Sequence, residues 1–207
     1  MNHQSRVLAC LGVTVAAVFI WSLVRPHDYF TWLLEVLPAI IGIAVLALTY
    51  PRFRFSTLVY ALISVHAIIL MIGGHYTYAE VPLFNWIRDT FGLSRNHYDR
   101  LGHFAQGFVP ALIAREILLR TTPLRRGKML FYLVVSICLA ISALYEICEW
   151  RAAVAFGDCA TAFLGTQGDP WDTQWDMTFA LIGASTALLT MPRLHDRSMQ
   201  EVMEIQR

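Results

Sequence analysis

Charge is scarce in this sequence. Asp, Glu, Lys and Arg together make up 15% of the 207 residues, and the formal net charge is only +1. No basic stripe is large enough to neutralise a run of phosphates, which argues against a nucleic-acid partner. The four cysteines, Cys10, Cys138, Cys148 and Cys159, have no C-x-x-C spacing, so neither a zinc knuckle nor a disulfide framework is indicated, and Cys148 with Cys159 is the one pairing to consider. H-E-x-x-H, dinucleotide-binding and phosphate-loop motifs are missing too. Their absence lowers the case for redox or nucleotide-driven roles, and nothing indicates a soluble cofactor.

What the chain has instead is apolar surface: 57% of its residues are hydrophobic, with a positive mean hydropathy. A soluble domain of this length does not carry so much, and most of it must face lipid. The expected fold is all-α, a polytopic membrane bundle of about six transmembrane helices. Six spans of roughly 20 residues would use about 120 of the 207, leaving a single integral membrane domain with short connections. The apolar runs fall at about 7–24, 31–50, 57–72, 101–119, 129–150 and 175–191. The first has no small-x-small cleavage site after it and reads as a retained helix. Pro38 lies inside the second, and Gly73-Gly74 reads as the stop of the third. Between the third and fourth runs, Pro82 to Phe91 places Phe84, Ile87 and Phe91 on one helical face and Arg88 and Asp89 on another, a short interfacial helix or one packed on the bundle. After Pro192 a mostly polar C-terminal segment is expected.

Arg120, Arg125, Arg126 and Lys128 fill the short connection between the fourth and fifth runs, which the positive-inside rule assigns to the cytoplasm. Six crossings then place Arg6, Arg52, Arg54, Arg193 and Arg197 on the same side, with both termini cytoplasmic. Arg115 and Glu116, near that end, are expected to be served by snorkelling and surface pairing and to form no site.

The unusual residues gather at the opposite level. His75, Tyr76, Tyr78 and Glu80 leave the third run, and Asp99 and His103 enter the fourth. Glu146, Glu149 and Trp150 end the fifth, while Asp169, Asp172 and Asp176 lead into the sixth. Asp99 with His103, Glu146 with Glu149, and Asp172 with Asp176 are each spaced to share a helical face. Ionisable groups at membrane depth are costly and normally point into a bundle, so a functional site is the default reading. A metal site would draw on His75, His103, Glu149 and Asp172, with Glu146 and Asp176 as further oxygen donors, and would bind a divalent ion holding an activated water; a structural ion-pair network is the competing reading. Metal-free acid/base chemistry would use Glu146 or Glu149 with His103 and Asp176. Tyr76, Glu80, Asp99, Trp150 and Asp169 would line the same cavity. Trp32, Trp86, Trp150, Trp171 and Trp175 near that level also fit an aromatic belt.

The stretches G-G-H-Y-T-Y-A-E-V-P, N-H-Y-D-R-L-G-H-F-A-Q-G-F, A-L-Y-E-I-C-E-W and Q-G-D-P-W-D-T-Q-W-D-M together resemble the YjdF family of bacterial inner-membrane proteins. That resemblance covers essentially the whole chain and implies a multi-pass protein of the bacterial inner (plasma) membrane, without assigning a reaction. A more distant likeness is to the VanZ-like membrane proteins, tied to glycopeptide-antibiotic tolerance, whose Asp-x-x-x-His at a helix start, Glu ending the next span and Asp entering the last would correspond to Asp99, His103, Glu146 and Asp176. The Gln and Arg that usually follow the Glu there stand here as Glu149 and Arg151. Three functions follow as expectations: an enzyme acting on a lipid-linked or envelope substrate, an ion- or proton-coupled transporter, or a structural or accessory membrane protein. The lipid bilayer is the partner in each case, and the sequence sets no oligomeric state.

Overall fold

The computed structural model describes residues 3–157 and 161–205, among which every regular element is helical. The elements are α1 (His3–Leu23), α2 (Tyr29–Thr49), α3 (Thr57–Tyr76), a 3-10 turn (Tyr78–Glu80), α4 (Pro82–Phe91), α5 (Tyr98–Thr121), α6 (Lys128–Phe156), α7 (Thr161–Leu164), α8 (Asp172–Thr190) and α9 (Pro192–Ile205). The pairing considered for Cys148 with Cys159 lies outside the described residues.

The bundle wears its apolar side chains outward. Val13, Ile20, Leu48, Leu144 and Leu189 are among the most exposed, a pattern that water would penalise and hydrocarbon does not. The protein is a polytopic membrane bundle. By length and composition, α1, α2, α3 and α6 can each cross a membrane, and α8 with α9, bent by 70° at their junction, would be a fifth span if counted as one. α5 is less apolar because it is the central helix. It packs on α3, α6 and α8, and Asp99, Arg100, His103, Arg115 and Glu116 along it are all buried, so protein rather than lipid solvates them.

Glycine allows the closest of these contacts. A β-carbon on Gly107 of α5 would lie 1.8 Å from the Ala180 carbonyl oxygen of α8, and one on Gly183 of α8 would lie 2.1 Å from the Phe104 carbonyl oxygen of α5. The two backbones therefore meet with nothing between them. Gly73-Gly74 serves the same end. Expected to stop α3, the pair is instead helical, because the Tyr78 ring folds back over Gly73, where a β-carbon would sit 1.7 Å from it, while Gly74 receives Val36 of α2. The helix runs on to Tyr76, and Thr77 breaks it with a positive φ of 60°.

At the end of the bundle holding the N-termini of α3 and α6, the expectation for Arg115 and Glu116 is corrected. Both are buried. Glu116 accepts hydrogen bonds from the Ser56 amide at 2.8 Å, the Ser56 hydroxyl at 2.6 Å and Arg120 at 2.6 Å. His195 of α9 lies between the two: its Nε2 is 3.0 Å from Glu116 and its Nδ1 3.1 Å from Arg115. Arg115 also reaches Asp196 at 2.7 Å. The expected polar tail is thus a docked amphipathic helix, whose His195, Ser198, Met199 and Val202 are buried at helical spacing. Asp196, partly buried, is held below the usual carboxylate range because its bonds from Arg126 and Arg115 outweigh the opposing effect of burial.

Candidate functional site

The second polar assembly forms at the other end of the bundle, where α1, α3 and α6 finish and α2, α5 and α8 begin. Its base is an ion lattice. Arg95, in the turn before α5, reaches Asp172 at 2.5 Å, Asp99 at 3.3 Å and the Gly165 carbonyl at 3.2 Å. Arg100, on the first turn of α5, donates to Asp172 at 2.7 Å, to Asp169 at 3.2 Å and, in a very short contact, to Asp176. Both guanidiniums are buried. Asn96 and Gln167 close the loop over this lattice: the Asn96 amide donates to Gln167 and the Gln167 side chain returns a bond to the Asn96 carbonyl, each at 2.9 Å. His97, beside the lattice, is held below the usual imidazole value first by burial and then by Arg95 and Arg100.

His103, one turn further into the bundle, is where the lattice meets the groups it leaves unsatisfied. Its Nε2 is 3.4 Å from Asp99 Oδ1 and 3.7 Å from Asp176 Oδ1, and its Nδ1 is 2.9 Å from Gln106 Oε1 and 3.9 Å from Glu146 Oε1. Glu146 Oε1, Tyr145 Oη and Glu35 Oε2 are buried without a hydrogen-bond partner. Such atoms cost about 1–3 kcal/mol each when left so, and an orphan carboxylate more. Glu35 faces Tyr78, Tyr145, Asp99 and His103 from α2; Glu149 has Glu146, Asp99, Glu35 and Asp176 around it. Asp99, His103 and Asp176 can each turn a ligand atom to within 4.8 Å of the others', which makes them the set among the described residues that could hold a metal ion.

A cavity of about 220 Å³ touches this cluster, lined on its polar side by Tyr78, His103, Gln106 and Tyr145. The rest of its wall includes Pro38, His66 and Leu70, and these three also line a neighbouring, largely apolar trough of about 510 Å³. The trough reaches the bundle's surface through Ile43, Val45 and Ile117, all exposed. The lipid-facing trough and the cavity at His103 therefore adjoin, with Pro38, His66 and Leu70 as their shared wall.

The structure brings together Asp99, His103, Glu146, Glu149, Asp169, Asp172 and Asp176. Four other candidates are elsewhere. The His75 ring stacks on Trp21 at 4.3 Å, with Nδ1 at 3.1 Å from the Ser22 carbonyl, and Tyr76 packs beside it. Glu80 accepts from Asn85 at the surface, and the exposed Trp150 ring lies under Arg151. Sequence reasoning missed Arg95, Arg100, Glu35 and Tyr145. Arg95 and Arg100 carried a signal, since they flank Asp99 at four residues and one, and the acids of 169–176 had no counter-charge in their own segment.

A family model described as "Predicted membrane protein (DUF2238)" matches residues 7–197. The protein described as "Inner membrane protein YjdF" of Escherichia coli (strain K12) is 50% identical over 194 residues, covering 94% of this chain and 93% of that protein. Neither finding carries the VanZ likeness. No solved structure matches.

Proposed function

The chain belongs to the DUF2238 family of predicted membrane proteins, and from the geometry of its His103 cluster we propose that it is an enzyme of the inner membrane acting on a lipid-linked substrate at the outer leaflet. The observation that carries this reading is that the apolar trough adjoins the cavity at His103, the two sharing Pro38, His66 and Leu70 as a wall. A hydrocarbon chain in the trough would lay its head-group linkage against Tyr78, His103, Gln106 and Tyr145. Behind them is Glu146, whose Oε1 is 3.9 Å from His103 Nδ1 and has no hydrogen-bond partner, and it is the acid/base group of choice. An attacking water or hydroxyl gives its proton to Glu146, the new bond forms at the linkage, and the departing lipid oxygen takes the proton back, so that charge balances over the cycle. Glu149 is the second carboxylate. Asp169 and Asp172, engaged by Arg95 and Arg100, hold the loop and α8 in place.

The reading includes six crossings, with α5 and α8 among them, and both termini in the cytoplasm. The antiparallel order of the long helices supports it, because Arg52, Arg54, Arg120, Arg125, Arg126 and Lys128 then share one face. A carrier would be expected to bind at the midplane between repeats, whereas this cluster sits at one end of α5.

The test is to reconstitute the purified protein in vesicles carrying a polyprenyl-phosphate-linked or phospholipid substrate and to follow head-group release or transfer by mass spectrometry. Glu146→Gln, nearly isosteric, is expected to reduce turnover by at least about 10²-fold while accumulating and melting like the parent. Unaltered turnover in that variant, or none in the parent with any substrate of either class, would sink the reading.

A further inference from the structure

The atoms around His103 are arranged for something they do not themselves supply. Gln106 Oε1 at 2.9 Å can only accept, so it draws the ring proton to Nδ1, and Glu146 Oε1 stands on the same side at 3.9 Å. The Nε2 lone pair then faces two carboxylate oxygens, Asp99 Oδ1 at 3.4 Å and Asp176 Oδ1 at 3.7 Å. Three electron-rich atoms turned on one another, in a region where all three residues are buried, repel unless a positive charge sits between them. Arg100 supplies part of it through its very short contact with Asp176 Oδ1, but Arg95 holds the other oxygen of Asp99, Oδ2, so Asp99 Oδ1 and Nε2 face each other with no guanidinium between them, a place for a proton or a bound cation. At the wider level the acids are in excess: Glu35, Asp99, Glu146, Glu149, Asp172 and Asp176 are six buried carboxylates against the two buried guanidiniums of Arg95 and Arg100 and the His103 imidazole.

The spacing matches a coordinated ion. Ligands bound at about 2.1 Å in tetrahedral geometry lie about 3.4 Å from one another, close to the two separations seen here. The imidazole also has the support a ligating histidine requires, since its second nitrogen is fixed by Gln106, with the buried Glu146 Oε1, which has no hydrogen-bond partner, behind it.

We propose that Asp99, His103 and Asp176 form a binding site for one divalent first-row cation, for which Zn²⁺ is the best match. One nitrogen and two carboxylate oxygens suit that ion, and three protein ligands leave a position open towards water or substrate. The proposal deepens the reading of this cluster as an enzyme site and rests on it, but metal uptake is measured without turnover, so the two fail separately. An ion bound by a protein that turns over no lipid would refute the proposed function and leave the site standing.

The experiment uses the full chain in detergent, stripped with a chelator, loaded with Zn²⁺ alone, desalted and analysed for metal. Co²⁺ serves as the spectroscopic stand-in. One ion per chain is expected, with the intense visible bands of four-coordinate Co²⁺. His103→Ala should lose both, His75→Ala should keep both, and Gln106→Ala should weaken binding by about 10–100-fold. Folded, monodisperse parent protein that retains no stoichiometric ion overturns the proposal. So does a His103→Ala protein with parental stoichiometry and spectrum, and, should that variant fail to fold, so does Gln106→Ala with parental affinity.

Discussion

Arg100 ties three acids of the His103 cluster together, bonding Asp169, Asp172 and Asp176 and also the Asp172 carbonyl at 3.3 Å. Removing it leaves the buried Asp176 without a guanidinium and Asp172 with Arg95 alone, which is the expensive way to break an ion pair. Arg100→Ala should therefore cost about 3–5 kcal/mol, read as a lowered melting temperature and reduced accumulation, whereas Asp89→Ala, which breaks a surface pair with Arg88, should fall within about 0.5 kcal/mol of the parent. An Arg100→Ala protein that melts with the parent would mean the lattice is not closed as described. At this scale the acids and His103 were legible, because an ionisable group near an apolar run stands out. The arginines were not: Arg95 reads as ordinary loop charge until the fold carries 165–172 over the start of α5. Arg115 and Glu116 misled for the opposite reason. Their sequence position says helix end, and only the docking of α9 encloses them.

The contact of α5 with α8 sets the spacing on which all of the chemistry depends, since Asp99 and His103 come from one helix and Asp172 and Asp176 from the other. With a β-carbon at Gly107 only 1.8 Å from a backbone oxygen, no side-chain rotation can make room, and the helices must part. Gly107→Val is expected to prevent stable assembly, seen as aggregation in detergent and loss of the melting transition. Gly12→Val, where a β-carbon meets nothing within 4 Å, should be neutral. Equal behaviour of the two would contradict the backbone contact. Hydropathy located the long helices because lipid-facing residues are apolar by necessity, and the short α4 was legible from its separate apolar and charged faces. Where the signal was packing rather than hydropathy the reading failed. The Gly73-Gly74 pair looks like a terminator until Tyr78 is seen lying on it, and α9 is too polar on average to announce that His195, Met199 and Val202 are buried.

Seen whole, the molecule is a shell of apolar helices around one mixed-polarity helix with an ion network at each end. The proposed topology puts the loops on either side of α5 on opposite faces of the membrane, and this can be checked directly. In a protein with its native cysteines replaced, a cysteine at Asp89 should react with an impermeant thiol reagent on intact cells, and one at Arg125 only after permeabilisation; reaction of both from the same side would mean that α5 does not cross. The sheathed position of α5 has a further consequence, for the order in which the chain is made. Arg100 finds Asp172 and Asp176 only 72 and 76 residues later in the sequence. At roughly 5–20 residues per second of synthesis, α5 exists for several seconds without the partners that neutralise it. On the proposed topology, α5 is therefore expected to enter the bilayer with α8 rather than following α3 in turn.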